Sequence, residues 1–206
     1  MSFRLCVLVL VSSIGFTVAC DRVSSPSVAP SASANIAPMA STGGGASLSA
    51  VKGALERLIN IEDACDPETF NAAIGPGTCV RSGGVQFDNF LSLLRRNGSI
   101  GGWHFGPPNL TMQAGEKFVA INRGGEVHTF TEVDEFGGGL VPLLNDAIGL
   151  KTVAPECQAL DPSVDFIAPG STFREANEEE GEQPGVVRYQ CCIHPWMRLE
   201  AKVLDK

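Results

Sequence analysis

Near the C-terminus, the run Tyr189-Gln-Cys191-Cys192-Ile-His194-Pro-Trp-Met197 sets a thiol, an imidazole and a thioether within seven residues. The preceding Val186-Val-Arg-Tyr-Gln reads as a strand, so these side chains leave a strand end into a tight loop stiffened by Pro195. Strand alternation puts Val187, Tyr189 and Cys191 on one face and Arg188, Gln190 and Cys192 on the other. Cys191 therefore points inward and Cys192 outward. A second imidazole, His128 in Gly124-Gly-Glu-Val-His128-Thr-Phe, follows another strand-like run 66 residues before His194. Two imidazoles, one thiolate and a weak axial thioether suit copper, because soft sulfur favours Cu(I) and imidazole serves both oxidation states. Such a set changes oxidation state with little ligand rearrangement.

The form Cys-x-x-His-x-x-Met in Cys191-Cys-Ile-His194-Pro-Trp-Met197 resembles the copper loop of amicyanin-type members of the plastocyanin/azurin (cupredoxin) family. Trp103-His-Phe-Gly-Pro, Leu110-Thr-Met-Gln-Ala-Gly115, the His128 strand, Ile167-Ala-Pro-Gly170-Ser-Thr-Phe173 and Arg198-Leu-Glu-Ala-Lys-Val follow in the order such domains show. The resemblance covers residues 100–206. It implies a mainly β chain, a Greek-key β-sandwich of cupredoxin-like type, holding one type 1 copper ion through His128, Cys191, His194 and Met197. It also implies single-electron transfer between redox partners and no enzymatic activity, with His194 near the surface as the electron port and Trp196 adding apolar contact area. Two departures stand out. Sixty-two residues separate His128 from Cys191, which leaves a long insertion over 133–185, and Thr129 stands where many relatives carry Asn, so the hydrogen bonding around the thiolate is left open.

Other readings compete with this one. A structural zinc site normally uses more Cys or His in closed tetrahedral ligation without Met, and Met197 as a mere core filler ignores the upstream His128. His104 has no motif around it and reads as a surface or hydrogen-bonded residue. With only His104, His128 and His194 in the chain, a multicopper oxidase or a copper oxygenase lacks its imidazoles. The alternative function is a copper-binding or copper-handling lipoprotein without an electron-transfer role, which reversible metal transfer would reveal.

Residues 1–20 carry Arg4 and an apolar Leu5–Phe16 stretch, too short to span a bilayer and read as a secretory signal. Cys20 after Thr17-Val-Ala resembles a bacterial lipoprotein processing site, where Cys20 would be lipidated; ordinary cleavage after Ala19 is the other reading. The expected location is periplasmic or cell-surface, with membrane contact only through Cys20. Residues 21–46, rich in Ser, Ala, Pro and Gly, form a flexible tether. Residues 47–99 read as a small N-terminal helical extension. Leu48, Val51, Leu55, Leu58 and Ile59 recur at helical spacing, as do Phe87, Phe90, Leu91 and Leu94 before the stop at Asn97-Gly98. Their apolar faces either pack on the sandwich or offer a docking surface. The chain as a whole, 206 residues and 44% hydrophobic, suffices for one domain with an ordinary core.

Of seven cysteines, Cys6 lies in the signal, Cys20 at its end and Cys191 on the metal, which leaves Cys65, Cys79, Cys157 and Cys192 for two bridges in an oxidising compartment. The turn-rich loop between Cys65 and Cys79 suits a local bridge, and Cys157 in the insertion can then meet the outward Cys192. A free Cys192 would instead be a thiol beside a metal ligand. Lys and Arg number 15 against 23 Asp and Glu, so nucleic acid is not the expected partner. Glu175, Glu178, Glu179, Glu180 and Glu182 read as a solvated hairpin loop, or as a docking patch for a basic redox protein.

Overall fold

The computed structural model of the protein describes residues 55–174 and 182–205. The signal, Cys20, the tether, Leu48, Val51 and the acidic positions 175–180 lie outside them.

The described chain is mainly β. Strands β1 (Glu56–Glu62), β2 (His104–Gly106), β4 (Lys117–Asn122) and β6 (Thr172–Arg174) form one sheet in the order β2-β1-β4-β6. Strands β3 (Asn109–Gln113), β5 (Thr131–Glu132), β7 (Gly185–Gln190) and β8 (Arg198–Leu204) form the other in the order β3-β8-β7-β5. Both sheets are mixed, since β1 runs parallel to β4 and β3 parallel to β8. Alternation along β8 buries Leu199, Ala201 and Val203 and exposes Glu200 and Lys202, the pattern of a strand with one face on a core. From the other sheet, Ile59, Ile61, Phe105, Phe118 and Ala120 enter that same core. Two sheets sharing their inner faces make a sandwich, with Phe118, Phe130 and Tyr189 at its centre. The Phe118 and Phe130 rings lie 5.0 and 4.3 Å from that of Tyr189.

The helix expected from Leu48 to Ile59 is corrected at its described end, where the chain is β1. Ile59 and Ile61 are fully buried two residues apart, while Leu55 and Leu58 are exposed. The helical spacing was coincidental, and the β-branched pair at period two carries the true signal. Burying those two side chains is worth about 1.5–3 kcal/mol each. Paired on both edges, to β2 and to β4, β1 is an interior strand of the sandwich sheet, so segment 47–99 is not helical throughout.

The second expected helix is present as α2 (Phe87–Asn97), which buries Phe90 and Leu94 and ends at Gly98, φ 72°, whose N–H returns to the Leu94 carbonyl. A shorter helix, α1 (Pro67–Ala73), begins at Asp66, whose carboxylate accepts from the Thr69 N–H at 2.9 Å. Phe70, Phe87, Phe90 and Trp103 form one aromatic cluster, so the apolar face of α2 packs on the sandwich. The insertion carries α3 (Pro142–Ala147) and α4 (Pro155–Gln158). Glu182, read from sequence as part of a solvated acidic loop, is instead buried, accepting the Tyr189 hydroxyl at 2.6 Å.

Two disulfides join Cys65 to Cys79 and Cys157 to Cys192, with Cα separations of 6.1 and 5.4 Å. The second fixes the insertion against β7. Gln190, on the same face as Cys192, accepts the Gly137 N–H at 3.0 Å, and the Leu140 N–H donates to the Cys192 carbonyl at 2.6 Å. A Cβ at Gly139 would collide with that carbonyl, so only glycine lets the insertion lie this close.

Candidate metal centre

Cys191 follows the last residue of β7, on the face of Tyr189 that enters the main core, while Cys192 joins Val133, Ala154 and Cys157 in a second cluster. The loop then folds back: the Met197 N–H donates to the His194 carbonyl at 2.8 Å and the Cys191 N–H to the Met197 carbonyl at 3.0 Å. One tight turn therefore gathers Cys191, His194 and Met197, all buried.

His128 arrives from the other side. Buried Asn122, at the end of β4, organises the connecting turn by accepting the Gly124 N–H at 2.9 Å and donating to the Glu126 and Ile167 carbonyls, both at 2.8 Å. His128 then exchanges backbone hydrogen bonds with Ile167, 3.1 and 2.7 Å long, so both its N–H and its carbonyl are held by that neighbouring segment.

The Cys191 Sγ lies 3.7 Å from His128 Nδ1 and 3.8 Å from His194 Nδ1, and the three donor atoms are within 4.8 Å of one another. A point about 2.1–2.4 Å from all three exists, which matches metal bonds to imidazole nitrogen and thiolate sulfur. His128 and Cys191 are 0% exposed and His194 is 3% exposed. The residues thus fit a metal ion in number, chemistry and spacing. Met197, fully buried on the same loop, offers the soft thioether.

A second layer surrounds these groups. The Thr129 N–H points at the Cys191 sulfur, 3.5 Å away, and the Thr129 hydroxyl accepts the Cys192 N–H at 2.8 Å. Threonine therefore ties the His128 strand to the thiolate loop directly. His128 Nε2 is 3.0 Å from Asp63 Oδ2, and His194 Nε2 is 3.7 Å from Glu126 Oε2, which also accepts the Trp103 indole N–H at 2.6 Å. Burial raises the Cys191 thiol, but the hydrogen bonds and charge of the two imidazoles outweigh it and hold the group well below its usual range. Burial likewise pulls His128 down, yet Asp63 and Cys191 together push it up to about 9. Desolvation opposes ionisation of Asp63, but His128 and the backbone N–H groups of Glu126 and Gly125 hold it at about 2. Glu126 is raised, chiefly by burial.

Two sequence expectations meet this geometry differently. His194 is not at the surface: Glu126 faces its outer nitrogen, and the Trp196 ring lies 5.4 Å away, edge to face. The expected port is thus covered, because α2 and Trp103 pack over this end of the molecule, with the Phe90 ring 5.9 Å from that of Trp196 and 4.8 Å from that of Trp103. His104 is exposed on β2 and stands apart from this cluster. Asp63, Glu126 and Asn122 were missed from sequence. The Asn122-Arg-Gly-Gly turn, separated from His128 by Glu126 and Val127, was the available signal for Asn122.

No family model matches the chain, and no curated protein matches it either. Among solved structures, a purple cupredoxin from Nitrosopumilus maritimus is similar over 71% of this chain and 98% of its own, at 15% identity and a TM-score of 0.34. Amicyanin from Paracoccus versutus is similar over 51% of this chain and 76% of its own, at 17% identity and a TM-score of 0.31. With likeness this distant, the chemistry of the centre rests on its own geometry.

Proposed function

We propose that the protein is a type 1 copper protein that passes single electrons between redox partners outside the cytoplasm. The observation that carries this is the mutual approach, within 4.8 Å, of two imidazole nitrogens and one thiolate sulfur in a buried site. Bound copper would supply a one-electron couple between Cu(II) and Cu(I), which this N₂S set with an axial thioether serves in both states.

Each residue has a distinct part. Cys191, already biased to thiolate, gives the dominant soft ligand. His128 and His194 present Nδ1 inward and keep Nε2 for carboxylate neighbours. Met197, buried in the amicyanin-like Cys-x-x-His-x-x-Met loop, would offer its thioether as a further, weaker ligand. The loop's backbone hydrogen bonds and the Thr129 contact fix donor positions before metal arrives, which limits rearrangement when the charge changes. Burial excludes water from the donors.

The same burial favours a retained ion over the copper-handling alternative, since transfer to a second protein needs a ligand that can be reached. The two disulfides go with an oxidising compartment, and export, lipid attachment at Cys20 and a redox-protein partner complete the reading. The test is Cys191→Ser in purified protein loaded with Cu(II). The variant should lose the strong visible band of the wild type; an identical spectrum in both would end the proposal.

A further inference from the structure

The best-built feature around the centre comes from outside the segment that resembles a copper domain. Asp63 lies just after β1, and its carboxylate is 1% exposed. Oδ2 faces His128 Nε2 at 3.0 Å and accepts the Glu126 N–H at 2.9 Å, while Oδ1 accepts the Cys65 N–H at 3.3 Å. A Cβ at Gly124 would collide with Oδ2 and lie 2.5 Å from the carboxylate carbon, so glycine there is what lets the carboxylate reach the imidazole. The flanking loop is fixed as well. Cys65 is bridged to Cys79, the Val80 N–H donates to the Gly125 carbonyl at 2.9 Å, and Val85 and Gly83 bond back to Ala64 and Cys65 at 2.8 Å. The disulfide loop and the Gly124-Gly125 turn thus clamp one carboxylate against one imidazole.

We infer that Asp63 is a positioning residue for the metal centre, holding His128 with Nδ1 toward the ion and Nε2–H on the carboxylate, and favouring the oxidised ion. The inference rests on the copper reading above. A carboxylate behind a ligating imidazole fixes its tautomer and ring orientation and raises its basicity. The sign of the redox effect follows from charge. The Cys191 thiolate and Asp63 together balance a doubly charged ion but leave a singly charged ion with a net negative charge in a buried place, where uncompensated charge is disfavoured. Glu126, 3.7 Å from His194, enters both oxidation states alike and leaves that sign unchanged. This also gives the loop that leaves β1, before the segment that resembles a copper domain, a role at the centre.

The experiment compares full-length wild type with Asp63→Asn, which keeps the shape and removes the charge. Affinity for Cu(II) should fall 10–100-fold, with a smaller loss for Cu(I), and the reduction potential should rise; each tenfold difference between the two losses is about 59 mV for one electron. The thiolate band should persist. Should the variant fail to fold, nitrogen-15 NMR of the Cu(I)-loaded wild type decides, with His128 expected to carry a slowly exchanging proton on Nε2 and metal on Nδ1. An unchanged potential in Asp63→Asn, or a bare His128 Nε2 in the wild type, overturns the inference while leaving the copper reading intact. A wild type that takes up copper without a thiolate band overturns both.

Discussion

The His194 imidazole lies edge-on to Trp196, with ring centroids 5.4 Å apart, and it is this partly exposed indole, not the histidine, that borders solvent. Trp196→Ala should leave the thiolate band in place but open the ligand to water and to chelators. We expect copper loss to a competing chelator to quicken about tenfold, as for loss of a protecting outer contact, together with a stability loss of about 3 kcal/mol from the missing aromatic packing. Stopped-flow chelator challenge and urea unfolding check the two parts separately. An unchanged rate of copper loss would mean that Trp196 does not guard the site.

The Cys157–Cys192 bridge closes a loop of 35 residues in sequence separation, and it holds the insertion beside the thiolate strand. Replacing both cysteines by alanine should cost about 3–4 kcal/mol on the chain-entropy account. Because the Leu140 and Gly137 hydrogen bonds to Cys192 and Gln190 loosen with it, copper retention should weaken too. Denaturant unfolding of the Cys157→Ala/Cys192→Ala variant against wild type measures the first effect.

Metal uptake should release a proton at neutral pH. In the metal-free protein the His128 imidazole is pushed up to about 9 while the Cys191 thiol is held low, so the pair shares one proton that the metal must displace. Below about 9 the apparent affinity therefore rises with pH, by up to about tenfold per unit for one proton, and above it the dependence fades. Calorimetric titration of the protein with Zn(II) in two buffers of different ionisation enthalpy, at pH 8 and pH 10, reads the proton count directly. Equal release at both pH values would contradict the pairing.

Met197→Gln should keep the metal and shift the potential, because the axial ligand tunes the couple while the thiolate dominates the copper chemistry. Spectroelectrochemistry of the loaded variant is the check. Loss of all copper binding would assign Met197 a larger share than an axial ligand holds.

The candidate loop was legible in sequence because Cys191, His194 and Met197 fall within seven residues, and the fold brings the Cys191 sulfur to 3.8 Å from His194 Nδ1. The sandwich was legible from alternation such as that of β8. Strand β1 was not, since Leu55, Leu58 and Ile59 mimic a helical stripe and only pairing to β2 and β4 selects the extended form. Asp63 and Glu126 were invisible for a related reason. A carboxylate's partner is set by tertiary approach, here 65 positions away between Asp63 and His128, and neither residue type nor local spacing records it. Burial of His194 escaped notice because the cover comes from α2 and Trp103, distant in sequence from the loop they shield.

The most direct test of the copper centre is the visible absorption and electron paramagnetic resonance spectrum of the purified wild-type protein after addition of one equivalent of Cu(II). The account predicts an intense thiolate-to-copper charge-transfer band with the narrow copper hyperfine splitting of a type 1 site. A weak, broad spectrum of ordinary nitrogen and oxygen ligation, unchanged by Cys191→Ser, would contradict it.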